Sequence, residues 1–319
     1  MKVWQYIQQK KQLSIRVILL YVLESKGSSP GRQGFKMAVA SDGTFCGTIG
    51  GGIMEHKFVE LAKSKLALPI DEPQVVKQVH DKSAVKNQSG MICSGEQTIF
   101  VYEIHQSNLE DIDRLIHSLN NHKNGTLEIT IDNLLFSDNI PKQPFRLDIA
   151  EDNTSFTLIE KTGYKNILHI IGGGHCALAL SELMYKMDFY IHVYDERHGL
   201  NTMEENRYAH EKHIVDSYSQ LENLLQNGPN VYVVIMTFGY RTDDVAVRSL
   251  LGKSFKYIGL LGSKKKIEKM FEEYQQEKIN TSLLEKIKAP IGIFIKSETV
   301  EEIAVSIAAE IIAEKNINQ

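Results

Sequence analysis

The chain has 319 residues, of which 42% are hydrophobic, and a formal net charge of −4 at pH 7. This length exceeds what one hydrophobic core usually fills, so we expect two domains. The basic residues are scattered apart from Lys264-Lys265-Lys266, which argues against the broad cationic surface that a nucleic-acid-binding protein needs.

No apolar run approaches the roughly 20 residues needed to cross a bilayer, and the N-terminus lacks the apolar segment of a signal peptide. Three cysteines, Cys46, Cys93 and Cys176, show neither the CxxC spacing of zinc sites nor a disulfide framework. We therefore expect a cytoplasmic protein whose thiols are reduced.

The first third of the chain predicts an N-terminal α/β domain over residues 1–105. A helix is predicted over 1–12, a β-branched strand over 14–24 and a second strand over 36–40, which meets the hairpin signal at 41–43. Helical spacing begins after Ile53, and residues 75–103 alternate as strands.

Residues 106–164 predict a linking β segment, with a helix near 107–120 followed by short strands. From residue 165 the pattern becomes strand, helix, strand. Strands at 166–171, 189–195, 231–237 and 257–262 alternate with helices near 176–187, 217–226 and 243–252. This order predicts a parallel sheet with right-handed crossovers, and hence a C-terminal Rossmann-like domain over 165–319.

A glycine fingerprint lies where the first strand of that domain meets its first helix. Gly172 would make the tight turn, Gly174 would let a phosphate approach the backbone, and His175 opens the helix. Asp195 ends the next strand, about 20 residues on, where an acidic residue accepts from a ribose 2′-hydroxyl. The pattern favours NAD or another nucleotide without a 2′-phosphate. The alternative is that the glycines only permit close packing and Asp195 is a solvated strand end.

Two further features accompany this fingerprint. Cys176 lies at a helix start that could lower its thiol pKa, but a packed small residue is the favoured interpretation. Gly262, Ser263 and Lys264 leave the fourth strand and enter a helix, where an N-cap hydroxyl and a lysine could hold an anion. Alternatively, the lysines are a solvated helix face.

The N-terminal domain carries its own glycine loop. The backbone amides of Gly50, Gly51 and Gly52, with Glu55 in the helix that follows, could line a pocket for a pterin or phosphate. The alternative is a point where the loop crosses under another strand. Arg32, in a loop of small residues, could make a bidentate phosphate contact, or be an ordinary surface arginine. Cys93 could present a thiolate to a soft metal such as molybdenum, or be a buried apolar residue.

Together these segments resemble the XdhC/CoxF family of molybdenum-hydroxylase maturation proteins. The segments that carry the resemblance are 27–37, 42–57, 90–96, 170–180, 193–197, 234–244, 257–266, 289–293 and 298–312. Where family members often place a cysteine after the triple glycine, this chain has Ile53.

The resemblance implies an accessory protein, or chaperone, that binds molybdenum cofactor (molybdopterin) and has no established turnover of its own. It would assist sulfuration of the cofactor and its insertion into a xanthine-dehydrogenase-like hydroxylase. The implied partners are that hydroxylase, a cysteine-desulfurase-type sulfur donor and a second copy of the chain in a homodimer. The resemblance also favours Cys93 as the cofactor contact and metal ligand. An NAD(P)-dependent oxidoreductase and a nucleotide-sensing scaffold remain the alternatives.

Overall fold

The computed structural model describes residues 1–69, 72–79, 95–150, 152 and 154–317. Contacts divide the chain into two units, Met1–Gly163 and Tyr164–Gln319. The sequence sets residues 106–164 apart as a linking β segment, and the contacts place 106–163 of these in the first unit.

In its described residues, the first unit contains two antiparallel sheets and three longer helices. Its elements are α1 (Lys2–Gln12), β1 (Val17–Gly27), β2 (Lys36–Ala40), β3 (Phe45–Gly47), α2 (Gly52–Leu66), β4 (Gln74–Val79), β5 (Gly95–Glu103), a 3₁₀ turn (Gln106–Asn108), α3 (Leu109–Asn120), β6 (Gly125–Thr130), β7 (Leu134–Ser137), β8 (Phe145–Ile149) and β9 (Phe156–Thr162). The five-stranded sheet has the order β3-β2-β1-β5-β4, and the four-stranded sheet has the order β7-β6-β9-β8.

Strand β1 is the centre of this unit because both of its faces are buried. Successive side chains of a strand point to opposite faces. Leu19 and Tyr21 therefore join the core shared with α1, α3 and the four-stranded sheet, while Ile18 and Leu20 join the core under α2. Each fully buried side chain of this kind contributes about 1.5–3 kcal/mol.

A buried polar contact ties β9 to this centre. The Tyr21 hydroxyl donates to Glu160 Oε2 at 2.6 Å, and Lys36 Nζ lies 3.0 Å from the same oxygen. A buried carboxylate is tolerated when it is paired and hydrogen-bonded in this way. The contact fixes how the two sheets of the unit pack together.

The second unit contains one six-stranded parallel sheet with helices on both faces. Its elements are β10 (Asn166–Ile171), α4 (His175–Tyr185), β11 (Phe189–Asp195), α5 (Asn201–Glu204), β12 (Glu211–Ile214), a 3₁₀ turn (Tyr218–Gln220), α6 (Leu221–Leu224), β13 (Gly228–Ile235), α7 (Tyr240–Leu250), β14 (Phe255–Leu260), α8 (Lys264–Gln276), α9 (Thr281–Leu284), β15 (Ile287–Lys288) and α10 (Val300–Asn316). The strand order is β12-β11-β10-β13-β14-β15, and every paired neighbour is parallel.

The two faces of this sheet form two cores. On one face Leu180 of α4 packs with Ile307 of α10, and on the other Val247 of α7 packs with Ile267 of α8. Helix α10 begins with a capping box in which Thr299 and Glu302 satisfy each other's backbone amides. The predicted α/β fold, with an N-terminal α/β domain and a C-terminal Rossmann-like parallel sheet, is confirmed.

The four strands predicted in the second unit are found, and the structure adds the strands β12 and β15 at the two edges of the sheet. The helix predicted near 217–226 is a 3₁₀ turn followed by the single turn α6, which ends at Leu224, shortly before Gly228 and Pro229. Strand β12 was not predicted, since its sequence, Glu211 to Ile214, is mostly polar. Among the described residues, no helix has the length and apolar character that crossing a membrane requires.

Candidate functional site

The glycine turn between β10 and α4 lies at the carboxyl edge of the parallel sheet. Strand β10 has β11 on one side and β13 on the other, so the chain connections diverge at this point. Ligands of open α/β sheets bind at such a switch point. We call the turn 172–175, together with the adjoining loops 195–197 and 237–239, the switch-point site.

Gly172 and Gly174 have different roles in this turn. Gly172 has a φ of +109°, and a Cβ there would lie 2.4 Å from the carbonyl oxygen of Met236. Glycine is therefore required at 172 for the turns after β10 and β13 to approach each other. Gly174 has an ordinary φ of −75°, and a Cβ there would meet nothing within 4 Å. The space before the first turn of α4, where His175 is exposed, is open.

Asp195 is fully buried, and its carboxylate accepts four hydrogen bonds. Its carboxylate accepts from the Gly173 amide at 2.7 Å, and from the amide, Nε and Nη2 of Arg197 at 2.8–2.9 Å. Burial raises the pKa of this carboxyl, but the hydrogen bonds from Arg197 and Gly173 outweigh burial and leave the pKa below its usual value. Four donors fill the roughly four acceptor sites of a carboxylate. In this arrangement Asp195 has no lone pair left for a ribose hydroxyl.

Arg197, unlike Asp195, is partly exposed to solvent at this turn. Its guanidinium lies 5.0 Å from the centre of the Phe238 ring, and its side chain is 39% exposed. Phe238 is itself 63% exposed at the end of β13. A cation stacked on an exposed ring offers a flat surface and a positive charge, which suits a base or a phosphate.

A buried charge pair supports the other side of the site. Asp243, fully buried in α7, accepts from the Thr237 hydroxyl at 2.6 Å and the Thr237 amide at 3.1 Å. Lys266 of α8 donates to the same carboxylate through Nζ. Because a buried carboxylate is costly unless it is paired, Lys266 fixes α8 against the turn after β13.

The loop before α8 places its predicted anion-binding residues differently. Ser263 caps α8 by accepting from the Lys266 amide at 3.3 Å, as an N-cap residue should. Lys264, predicted to reach an anion, is 83% exposed and lies 3.8 Å from Glu268. A Cβ on Gly262 would come within 3.1 Å of the Lys266 side chain. Lys266 is therefore the lysine of this run that faces inward.

In the N-terminal glycine loop, a side chain of the protein occupies the position of an anion. Glu55 Oε2 accepts from the Thr48 hydroxyl at 2.5 Å, the Ile49 amide at 2.9 Å and the Gly51 amide at 3.0 Å. Of the amides of Gly50, Gly51 and Gly52 that the sequence predicts for a phosphate or pterin, that of Gly51 thus donates to Glu55, and that of Gly50 donates to the Thr48 hydroxyl at 3.0 Å. An external anion could use the Gly51 amide only if Glu55 moved away.

The glycines of this loop also allow two loops to cross. A Cβ on Gly31 would lie 2.0 Å from the Ile49 carbonyl oxygen, and a Cβ on Gly50 would lie 2.6 Å from the Gly31 amide nitrogen. Gln97 bridges the crossing by donating to the carbonyl oxygens of Gly31 and Ile49 at 3.0 and 3.2 Å. Close packing thus accounts for Gly50. Gly51, with a φ of +79°, faces open space, and Gly52 begins α2 with a φ of +69°.

The remaining predicted groups are spread over the chain. Arg32 is exposed and donates from Nη1 to the Gly27 carbonyl oxygen at 3.2 Å. Cys46 is half-buried and packs against the core of its unit. At Cys176, burial raises the thiol pKa, and Glu301 raises it further, so the helix start does not produce a thiolate there. Cys93 lies outside the described residues.

The residues that fix this geometry were not predicted from the sequence. Arg197 follows Asp195 by two positions, and that spacing at a strand end is the signal that could have indicated the pair. Asp243 and Lys266 are 23 positions apart, and nothing in the sequence joins them.

A surface cavity of about 340 Å³ lies away from the switch-point site, at the amino-terminal end of β14. Its lining includes Lys256, Lys288 and Glu314, of which the last two are paired at 2.8 Å. Ligands of parallel sheets bind at the carboxyl ends of the strands, so we keep the switch-point site as the candidate.

Two family models match the chain. One, described as the XdhC and CoxI family, matches residues 13–76, and the other, described as the XdhC Rossmann domain, matches residues 168–311. The first match includes the glycine loop and Glu55, and the second includes the switch-point site.

Two bacterial proteins are similar over most of the chain. The uncharacterized protein YqeB of Escherichia coli (strain K12) is 24% identical over 298 residues, which are 92% of this chain but 43% of YqeB, so the chain spans less than half of that relative. A Bacillus subtilis (strain 168) protein, named as a probable subunit of xanthine dehydrogenase, is 22% identical, over 92% of each chain.

A crystal structure from Bacillus halodurans, described as a xanthine dehydrogenase, has the same fold. It superposes with a TM-score of 0.71 at 22% identity, covering 100% of this chain and 97% of the other.

Proposed function

Because the chain belongs to the XdhC and CoxI family, we propose that it is a maturation factor for a xanthine-dehydrogenase-like molybdenum hydroxylase. In this role it binds molybdenum cofactor, assists its sulfuration by a cysteine-desulfurase-type donor and assists its insertion into the hydroxylase. The observation that carries the proposal is the presence of both family matches, in order, in one chain.

The switch-point site fits the phosphate end of this cofactor. A Cβ on Gly174 would meet nothing within 4 Å, and no side chain caps the start of α4, where the first amides of a helix have no partner within the helix. The exposed edge of Arg197, stacked on Phe238, adds a positive charge and a flat surface. We assign phosphate binding to Gly174, His175 and Arg197. When bound, the cofactor supplies the molybdenum centre on which the hydroxylase depends.

The two carboxylates next to the site, Asp195 and Asp243, are both held in hydrogen bonds, so neither is a ready proton donor or acceptor. The Asp195 carboxylate accepts hydrogen bonds from Arg197 and Gly173. The Asp243 carboxylate accepts hydrogen bonds from Lys266 and Thr237. A hydride-transfer enzyme needs a placed acid or base beside its cofactor. Binding and delivery thus fit the geometry better than the NAD(P)-dependent oxidoreductase alternative.

A reconstitution assay tests the proposal. Full-length chain would be loaded with molybdenum cofactor, separated from free cofactor and mixed with a cofactor-free xanthine-dehydrogenase-like hydroxylase. We expect hydroxylase activity to rise faster than with the same amount of free cofactor. Equal rates with and without the chain would contradict delivery. In a parallel assay, steady turnover of NAD or NADP with small aldehydes, alcohols or purines would support the oxidoreductase instead.

A further inference from the structure

A second cluster of potential ligands lies on the open edge of the parallel sheet, at strands β11 and β12. In the parallel register His192 pairs with Glu211, and Tyr194 pairs with His213. Residues that pair in register on neighbouring strands point to the same face, as do residues two apart on one strand. The side chains of His192, Glu211 and His213 therefore converge on one face.

The three potential ligand atoms form a nearly equilateral triangle. His192 Nδ1 lies 3.2 Å from His213 Nε2 and 3.5 Å from Glu211 Oε2, and His213 Nε2 lies 3.3 Å from Glu211 Oε2. With zinc bonds of about 2.0–2.2 Å, ligands at the corners of a tetrahedron are about 3.3–3.6 Å apart. The triangle has the dimensions of one face of a zinc tetrahedron without any movement of the side chains.

Neighbouring side chains hold these ligands in place. The Tyr190 hydroxyl donates to the other oxygen of Glu211, Oε1, at 2.9 Å. The His192 ring stacks on His169 at 4.7 Å, and the His213 ring stacks on Tyr194 at 4.6 Å. Outer contacts of this kind fix ligand orientation in metal sites.

The exposure of the three side chains suits an ion that enters from solvent. His192 is 16% exposed, whereas His213 and Glu211 are 33% and 44% exposed. Burial lowers the pKa of His192. Two imidazole nitrogens and one carboxylate oxygen are a donor set that suits a divalent transition ion.

We propose that His192, Glu211 and His213 bind a divalent transition-metal ion, with Zn²⁺ as the ion that fits the triangle. The fourth coordination position faces solvent and is open to water or an external ligand. The ion bridges the short edge strand β12 and its neighbour β11. The site is independent of the maturation role proposed above, because it shares no residue with the switch-point site.

Without an ion, a proton between the two rings would explain the same 3.2 Å contact, so the test must separate these cases. Chelator-treated full-length chain would be titrated with ZnCl₂ in a calorimeter, alongside His213→Ala, Glu211→Gln and the control His198→Ala, an exposed histidine outside the cluster. We expect one Zn²⁺ per wild-type chain and per control chain. The two cluster variants should bind at least about tenfold more weakly, since each loses one of three ligands.

Glu211→Gln keeps the side-chain shape, so this variant decides the matter if His213→Ala fails to fold. Co²⁺ would replace Zn²⁺ as a spectroscopic probe, and we expect the visible bands of a tetrahedral nitrogen and oxygen site, lost in Glu211→Gln. If the wild type bound no Zn²⁺, the proposal would be overturned, and a proton shared between the two rings would be the explanation of their contact. Equal affinity in all variants, or a thiolate-to-cobalt charge-transfer band, would also overturn it by placing the ion elsewhere.

Discussion

Replacing Gly174 with valine should abolish ligand binding at the switch-point site while leaving the fold intact. The backbone at Gly174 is allowed for any residue, and a Cβ there meets nothing within 4 Å. Losing glycine at an N-cap lowers the free energy of unfolding by up to about 1 kcal/mol. The reduced entropy of the unfolded chain raises it by about 0.4–1 kcal/mol. The net change in the free energy of unfolding should stay below about 1 kcal/mol. The isopropyl group would then fill the space that a phosphate needs.

Gly172→Ala, in contrast to Gly174→Val, should destabilise the fold. Its positive φ costs an alanine about 1–3 kcal/mol. The overlap of the new Cβ with the Met236 carbonyl oxygen, at 2.4 Å, adds about 1–3 kcal/mol. We therefore expect Gly172→Ala to lower the free energy of unfolding by about 2–6 kcal/mol, enough to unfold many domains.

Thermal melting with NAD and NADP in parallel is the assay. A nucleotide at about 100 times its Kd stabilises the wild type by about 2.7 kcal/mol, which corresponds to a shift of roughly 5–10 °C for a unit of this size. We expect no shift for Gly174→Val. A shift that survives in Gly174→Val at unchanged stability would refute the assignment of the phosphate to this turn. If Gly174→Val lowered the free energy of unfolding by several kcal/mol, the claim that there is open space before α4 would be wrong.

Three further outcomes follow from the described contacts and from the family resemblance. Glu55→Ala should lower the free energy of unfolding by about 1–3 kcal/mol in urea titrations, because three donors lose their acceptor, and an unchanged midpoint would contradict this. Cys176 should be alkylated more slowly than a free thiol at pH 8 in peptide mapping, because its pKa is raised, and faster labelling would contradict the burial. Cys93→Ser should retain less molybdenum cofactor after gel filtration than Cys46→Ser or Cys176→Ser, and equal retention would remove the ligand role.

The architecture of the second unit was predictable because its pattern is local. Apolar strands such as 166–171 and 231–237 alternate with amphipathic helices, and that order alone specifies a parallel sheet. The glycine turn at 172–174 was located for the same reason. Strand β12 was missed because an edge strand of polar residues has no apolar periodicity and depends on its pairing with β11.

The partners of the charged residues were not predictable because they depend on tertiary packing. Asp195 was assigned to a ligand, yet Arg197 folds back onto it. Glu55 was placed beside a phosphate pocket, yet its carboxylate accepts from the Gly51 amide of that pocket and from the Ile49 amide next to it. His192 and His213 meet only because two strands pair in one register, and a shift by one residue would turn one of them to the other face.

Native mass spectrometry of the full-length chain mixed with molybdenum cofactor tests the central proposal most directly. We predict one cofactor per wild-type chain, retained through gel filtration, and clearly less cofactor on Gly174→Val at equal thermal stability. A wild-type chain that emerges free of cofactor under conditions in which it is folded would contradict the account.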